Sequence, residues 1–284
     1  MVILLGLAAA ILYGSGDFLG GLAARRAHVL TVLTLAETAG AAVAVAAALM
    51  SASPASLTGM AWGIGAGLIG GLGLIIFYAG LAAGPMSVVA PVSGLVSTIL
   101  PVTVALAEGE RPGAGVYAGA LLCLVAIVLA SSAPSTGAPR RPGRPWPGRA
   151  IAYGITSGAS FGLFFLLIRN AGQSGELWPV AAARIGELAT VLAAAAVLRR
   201  GLRPRGAGRR LLLAAASAGM IDVIANLCYV AATRTGMFGL AVVLASLYPG
   251  VTVLLARGVL GERLRWAQRA GLGLAAIGII LVAA

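Results

Sequence analysis

Residues 58–81 read TGMAWGIGAGLIGGLGLIIFYAGL, a run of apolar and small residues without one charged side chain. About 20 such residues are enough for an α-helix to cross the hydrocarbon core of a bilayer. The whole chain has the same character, because 60% of its 284 residues are hydrophobic and only 10% are charged. Soluble domains have roughly 45–50% apolar and about 25% charged residues. The composition therefore predicts an integral membrane protein.

Nine further apolar runs accompany this one. Since they are continuous and do not alternate with a period of two, they indicate spanning helices and argue against a barrel. The ten predicted helices cover residues 2–24, 29–50, 58–81, 87–107, 113–131, 149–169, 178–199, 209–232, 237–256 and 265–283. Residues 132–148, rich in Pro, Gly and Ser, are predicted to form a polar linker between two five-helix regions, 1–131 and 149–284.

The two five-helix regions resemble each other. FYAGLAAGPM (77–86) matches CYVAATRTGM (228–237) in its Tyr and Met, and a Pro, V-T-V and G-E-R series occurs near 101–111 and again near 249–263. Two homologous units with an odd number of helices enter the membrane from opposite sides. The loop arginines support this inversion, because where a loop of one half is rich in arginine, the corresponding loop of the other half is poor in it. The sequence therefore predicts an all-α integral membrane fold of ten transmembrane helices, arranged as two inverted repeats.

The formal net charge of +12 comes from arginines, with no lysine. In a soluble protein it would suggest nucleic acid as a partner, but here most arginines fall in short loops, where they orient a membrane protein. We therefore predict the lipid bilayer and a small-molecule substrate as partners, and no nucleic acid. Arginine without lysine, with abundant Ala and Gly, is typical of a GC-rich bacterial genome and indicates an inner (plasma) membrane protein. Most arginines lie in the odd-numbered loops, which the positive-inside rule places in the cytoplasm.

Neither the cysteines nor the single histidine forms a metal-binding or catalytic pattern. Cys123 and Cys228 fall inside apolar runs, and His28 stands alone at a loop edge. We therefore expect no cofactor and no metal site. Spaced glycines such as Gly63 and Gly67 permit close helix packing, either inside a monomer or across a homodimer.

Ionisable residues within a spanning helix are costly and indicate a functional site or an internal ion pair. Glu37 and Glu187 fall at corresponding depths in the second and seventh helices, where two carboxylates can hold a proton or a cationic group. Arg184 lies three residues before Glu187 on the same helix face, so simple mutual neutralisation is the alternative. Glu37 has no evident partner on its own helix.

Two further polar groups are predicted near the bundle interior. Asp222, Asn226 and Tyr229 are spaced i, i+4 and i+7, which places them on one face of the eighth helix. This face forms either a substrate-binding wall or interhelical hydrogen bonds. Asp17 lies among four glycines in the first helix, either in an opening of the bundle or near the interface.

Prolines mark possible helix interruptions. Pro91, Pro101 and Pro249 lie within the fourth and ninth helices, where each frees a backbone carbonyl and favours a kink. Pro101 and Pro249 occupy corresponding places in the two halves, and paired interruptions of this kind indicate a binding site between repeats.

Several of these segments resemble a known family. YGSGDFLGGLAARR (13–26), GPMSVVAPVSG (84–94) and the two segments that end in G-E-R are similar to those of EamA-type members of the drug/metabolite transporter superfamily. The resemblance extends over nearly the whole chain. It implies ten helices around a central cavity, transport of varied small metabolites and cytoplasmic termini. The arginine bias instead places both termini outside.

Together these features favour a secondary-active transporter that works by alternating access. The candidate residues are net acidic, which favours cationic or zwitterionic cargo such as organic cations or amino acids, and proton coupling through a carboxylate fits the same pattern. A lipid-headgroup flippase or channel-like facilitator on this fold is the alternative. No H-E-x-x-H, G-x-S-x-G or Cys–His pattern supports an enzyme.

Overall fold

A computed structural model describes residues 1–51, 54–84, 86–111, 113–131, 147–175, 177–199, 208–260 and 266–283. Residues 132–146 of the predicted linker, the arginine-rich residues 200–207 and the second G-E-R at 261–263 lie outside these ranges.

The chain in these ranges forms helices and loops, with no strand. The eleven helices are α1 Val2–Ala24, α2 Val29–Met50, α3 Leu57–Ala83, α4 Met86–Ala107, α5 Ala114–Ser131, α6 Pro147–Gly172, α7 Leu177–Val197, α8 Arg209–Thr235, α9 Phe238–Ala245, α10 Tyr248–Leu260 and α11 Trp266–Ala283. The predicted ranges agree with these to within a few residues, except in the ninth run. Helix α6 begins two residues inside the predicted linker.

The ninth predicted helix, 237–256, is interrupted next to Pro249, one of the three prolines named as kink candidates. Helix α9 ends at Ala245 and α10 begins at Tyr248. Pro249 has no N–H with which to continue the helical ladder to the carbonyl of Ala245. The turn is instead closed by hydrogen bonds between residues three positions apart. These run from the N–H of Leu247 to the Leu244 carbonyl (3.2 Å) and from the N–H of Gly250 to the Leu247 carbonyl (2.9 Å).

The interruption is not duplicated in the first half, contrary to the prediction of paired interruptions at Pro101 and Pro249. Helix α4 runs without a break through both Pro91 and Pro101. Each proline removes one backbone hydrogen bond, and a helix held by neighbours on several sides tolerates that loss.

Eight helical segments of the described chain are long and apolar enough to cross a membrane, with α9 and the first part of α10 together forming one of them. Helices α5 and α11, 18 residues each, pack extensively against each other. Large apolar side chains such as Leu4, Leu68 and Ile224 face outward, as expected where lipid is the solvent. The protein is a multi-pass membrane protein.

Glycines allow the central helices to approach each other closely. A Cβ atom at Gly67 of α3 would overlap the carbonyl of Ala183 in α7, and one at Gly219 of α8 would overlap the carbonyl of Ala36 in α2. Helices in lipid have no hydrophobic driving force for association, so they associate through close packing at small residues of this kind. Gly63 also lies against α7, at Pro179, so this glycine pair packs inside the chain.

Substituting Gly67 by Ala should destabilise the fold, because the added methyl group meets backbone atoms that cannot rotate away. The expected loss is about 1–3 kcal/mol, the usual cost of overpacking. Gly65→Ala on the same helix is the matched control, since nothing lies within 4 Å of a Cβ there. That variant should gain about 0.5–1 kcal/mol from reduced backbone entropy. Thermal unfolding of the two purified variants should shift in opposite directions, and equal shifts would contradict this packing.

Polar contacts join the segment after α4 to the last turn of α6 and the start of α9 at one end of the bundle. Glu110, after α4, accepts hydrogen bonds from the N–H groups of Phe238 (2.6 Å) and Gly239 (2.9 Å) at the start of α9. Glu108 pairs with Arg169 near the end of α6 at 2.8 Å, and this guanidinium stacks 4.0 Å from the ring centroid of Phe238. These contacts join the first five helices to the later ones at that end.

The two glutamates should differ in their importance. Glu110→Ala removes an anion that caps a helix N-terminus, so we expect a loss of about 0.5–2 kcal/mol. Glu108→Ala removes a solvent-exposed ion pair, for which about 0–1 kcal/mol is typical. Melting temperatures of the two variants in one detergent measure the difference. A Glu108→Ala variant as unstable as Glu110→Ala would show that the cap has no special role.

Candidate functional site

An arginine in the middle of α7 is the centre of a buried ionic cluster. Arg184 Nη1 lies 2.6 Å from Asp222 Oδ2 of α8, 2.8 Å from Glu187 Oε2 of the same helix and 3.2 Å from Glu37 Oε2 of α2. The second terminal nitrogen, Nη2, donates to Glu187 Oε1 at 3.3 Å. The arginine side chain is only 1% exposed, so nearly all of its interactions are with protein.

The cluster is unbalanced in charge. One guanidinium faces three carboxylates, which leaves a formal excess of two negative charges in a region where the helices are apolar. Burying charge without compensation is expensive, so such a site favours the binding of protons or of a cationic group. Helix spacing brings Arg184 and Glu187 to one face of α7, whereas the other two carboxylates come from separate helices.

Hydrogen bonds extend the cluster to α1. Tyr13 Oη donates to Asn226 Oδ1 at 2.9 Å, and Asn226 Nδ2 donates to both the carbonyl (2.8 Å) and the carboxylate Oδ2 (3.1 Å) of Asp222. The amide of Asn226 is therefore held by one donor and two acceptors. This fixes the orientation of the Asp222 carboxylate against Arg184.

A cavity opens beside the cluster. Its polar wall consists of residues from α1, α7 and α8, namely Tyr13, Asp17, Arg184, Glu187, Asp222 and Asn226. The rest of the lining is mainly aromatic and apolar, and is formed by Gly70, Leu74, Phe161, Phe164, Phe165 and Tyr248. Such a mixture of apolar surface with a few convergent polar groups is typical of small-molecule sites.

The structure brings most of the predicted site residues together. Asp17, Arg184, Glu187, Asp222 and Asn226 all line the cavity. Asp17 lies in the wall and not at the membrane interface. Asp222 and Asn226 of the α8 face line the cavity and also take part in interhelical bonds.

Two predicted site residues lie outside the cavity wall. Glu37 is 3% exposed and contacts Arg184, so it has the partner that its own helix does not supply. Tyr229 is fully buried and donates to the carbonyl of Phe165 at 3.3 Å. Its contact is therefore between α8 and α6.

Sequence reasoning missed the aromatic part of the cavity. Tyr13 precedes Asp17 by four residues and so shares its helix face, a signal that was available. Phe161, Phe164 and Phe165 gave no signal, because phenylalanines are ordinary residues of a membrane helix. Tyr248 reaches the cavity because α10 begins there after the interruption of the ninth run.

No group of three or more His, Cys, Asp or Glu side chains in the described ranges is arranged to hold a metal ion. Because Arg184 is at the centre of the acidic cluster, its positive charge occupies the position that a bound cation would take.

Comparison with known proteins finds a family resemblance in the second half of the chain. No curated protein matches it at a significant level. The fold occurs among solved structures, and one of them, described only as the crystal structure of a protein, has a TM-score of 0.73 and 20% identity, covering 99% of this chain and 95% of the other. Residues 148–284 match the model of the EamA-like transporter family. These residues, just under half of the chain, therefore resemble EamA-like transporters of the drug/metabolite transporter superfamily.

Proposed function

We propose that the protein is a secondary-active transporter that moves small polar or amphipathic metabolites, cationic or zwitterionic, through the cavity beside Arg184. The carrying observation is that this cavity adjoins an acidic cluster built from α2, α7 and α8, with an excess of carboxylates over guanidinium. A negatively charged, water-poor site attracts cations and repels anions. The family resemblance supports transport as the activity.

The helix contacts support two inverted repeats, residues 1–131 and 149–284. The counterpart helices are α1 and α6, α2 and α7, and α3 and α8. If each helix is exchanged for its counterpart, the contact of α3 with α6 becomes that of α8 with α1. Likewise α3 with α7 becomes α8 with α2, and both contacts of each pair are extensive. Helices α2 and α7, and α5 and α11, pair with their own counterparts. This pattern is expected of ten spanning helices related by a pseudo-twofold axis.

Alternating access is the mechanism we propose for these halves. The polar contacts of Glu108 and Glu110 join helices from both halves at one end of the bundle. The same contacts must break if that end opens to admit cargo. Rocking of one repeat against the other around a fixed site is the usual solution on such scaffolds.

The acidic excess also supports proton coupling. The cavity wall carries Asp17, Glu187 and Asp222, so cargo that is a cation can replace a proton there without a change in total buried charge. We propose that the protein acts as a monomer or homodimer in the inner membrane of a bacterium, as its composition suggests.

The experiment is a screen of labelled metabolites in proteoliposomes, with and without a pH gradient. We expect uptake of cationic or zwitterionic solutes above the level in empty liposomes, faster with a gradient. Asp222→Asn should abolish this uptake, whereas Arg26→Gln, at an exposed loop position, should not. Uptake of anions alone, or of phospholipid analogues between leaflets without soluble cargo, would contradict the proposal.

A further inference from the structure

We propose that the cavity recognises monocationic amines with an apolar body through the carboxylate of Asp17, and that it has no site for the carboxylate of an amino acid. This inference rests on the proposed function for the location of the site and narrows its substrate class. It follows from which charged groups of the cavity are already paired and which are not.

Arg184 is the cationic residue of the described cavity wall, and both of its terminal nitrogens have carboxylate partners. Nη1 contacts three carboxylates and Nη2 donates to Glu187. Only Nε is without a hydrogen-bond partner, and it is buried. A substrate carboxylate that took the place of an internal one would leave that group buried without its cation, and one that approached Nε would bring a further negative charge to the cluster. The net negative charge of the cluster opposes both steps.

Asp17 differs from Arg184 in its pairing. It lines the same cavity from α1, is half-buried, and makes no hydrogen bond or ion pair with any residue in the described ranges. The charged group that acts on Asp17 electrostatically is another carboxylate, that of Asp222. A half-buried carboxylate without a partner, beside a second one, is an attractive position for an ammonium group.

The wall around Asp17 suits the rest of such a molecule. The rings of Tyr13 and Phe165 meet edge to face with centroids 6.0 Å apart, and those of Tyr13 and Tyr248 with centroids 6.4 Å apart. Phe164 continues this surface, 5.7 Å from Phe165. Aromatic faces attract cations and also cover apolar groups, so a compact amine with an aromatic or branched apolar body complements this wall.

One further polar atom is available for a ligand. The Tyr248 side chain is 4% exposed and lines the cavity, yet its hydroxyl makes no hydrogen bond of acceptable geometry, although Ser93 and Ser97 are nearby. An unpaired buried hydroxyl is uncommon and costly. A bound ammonium group would supply the donor that this oxygen lacks.

The test compares three probes that share a phenylethyl group and differ in charge. Equilibrium binding to the purified protein in detergent is measured for phenethylamine (a cation), phenylalanine (a zwitterion) and 3-phenylpropionate (an anion). We expect phenethylamine to bind at least about tenfold more tightly than phenylalanine, with no binding of the anion, because only the amine meets an unpaired partner without an opposing charge. Equal or tighter binding of phenylalanine, any binding of the anion, or no binding of all three probes would overturn the proposal.

Two variants test the residues. Asp17→Asn should weaken phenethylamine binding by about tenfold or more, and Asp17→Glu should preserve the preference for the amine. Tyr248→Phe removes only the unpaired hydroxyl, so it should fold normally and weaken binding by a few fold. Glu108→Gln, at one end of the bundle, is the control and should bind like the wild type. Unchanged binding in both Asp17→Asn and Tyr248→Phe would sink the assignment.

These measurements separate the inference from the proposed function. Tight amine binding without transport in proteoliposomes would leave the recognition site standing and refute the transporter. Transport of amino acids without binding of the amine would refute the recognition site and leave the transporter standing.

Discussion

Arg184→Met is expected to be among the most destabilising single substitutions in this protein. Methionine matches the length of the arginine stem but leaves Glu37, Glu187 and Asp222 without their common cation. Breaking a buried ion pair by removing one partner costs about 3–5 kcal/mol, because the remaining charges stay buried. We expect a melting temperature lower by several degrees, or loss of folded protein from the membrane, measured against the wild type in one detergent.

A control and a rescue make this prediction specific. Arg26→Met changes an arginine at an exposed loop position and should leave the melting temperature unchanged. Adding Glu187→Gln to Arg184→Met should recover part of the loss, because it removes one of the stranded charges. An Arg184→Met protein as stable as Arg26→Met would show that the cluster does not hold the helices together.

The second large effect should fall on transport. Asp222→Asn keeps the shape of the side chain but removes its charge from the cavity wall, where the carboxylate is 22% exposed. Glu37→Gln makes the same chemical change on the far side of Arg184, outside the wall. We expect Asp222→Asn to lower the initial transport rate to the level of empty liposomes, because cargo loses its charged contact in the cavity wall.

Glu37→Gln should affect stability more than the transport rate. Its carboxylate is fully buried, so loss of the charged contact should cost about 1–3 kcal/mol of stability. The rate per folded molecule should change less than in Asp222→Asn. Rates normalised to folded protein, together with melting temperatures, give both quantities for each variant. Equal transport in the two variants would mean that Asp222 acts only as a structural partner of Arg184.

The helix ranges could be predicted because each apolar run must satisfy its own backbone hydrogen bonds in lipid, which leaves little choice of structure. Pro249 was among the predicted interruptions, but the sequence could not show which proline breaks its helix, since Pro91 and Pro101 lie in α4 without interrupting it. Whether a proline ends a helix depends on how its neighbours hold the freed backbone groups.

The charged residues of the site could be found because an ionisable side chain in a spanning helix is conspicuous. Their pairing could be predicted only within one helix, as for Arg184 and Glu187. The bond from Arg184 to Glu37 joins residues 147 positions apart and depends on how α2 packs against α7. The aromatic wall was missed for the same reason, since only tertiary packing separates a phenylalanine in a cavity from one in the core.

The central claim is that cargo crosses the membrane through the cavity beside Arg184. Solute counterflow in proteoliposomes tests it most directly, because exchange of labelled for unlabelled cargo needs neither a coupling ion nor a gradient. Liposomes are preloaded with the unlabelled cargo from the metabolite screen and diluted into the labelled compound. We predict a transient accumulation of label in wild-type liposomes, and none above empty liposomes with Asp222→Asn. The same accumulation with Asp222→Asn as with the wild type would contradict the account.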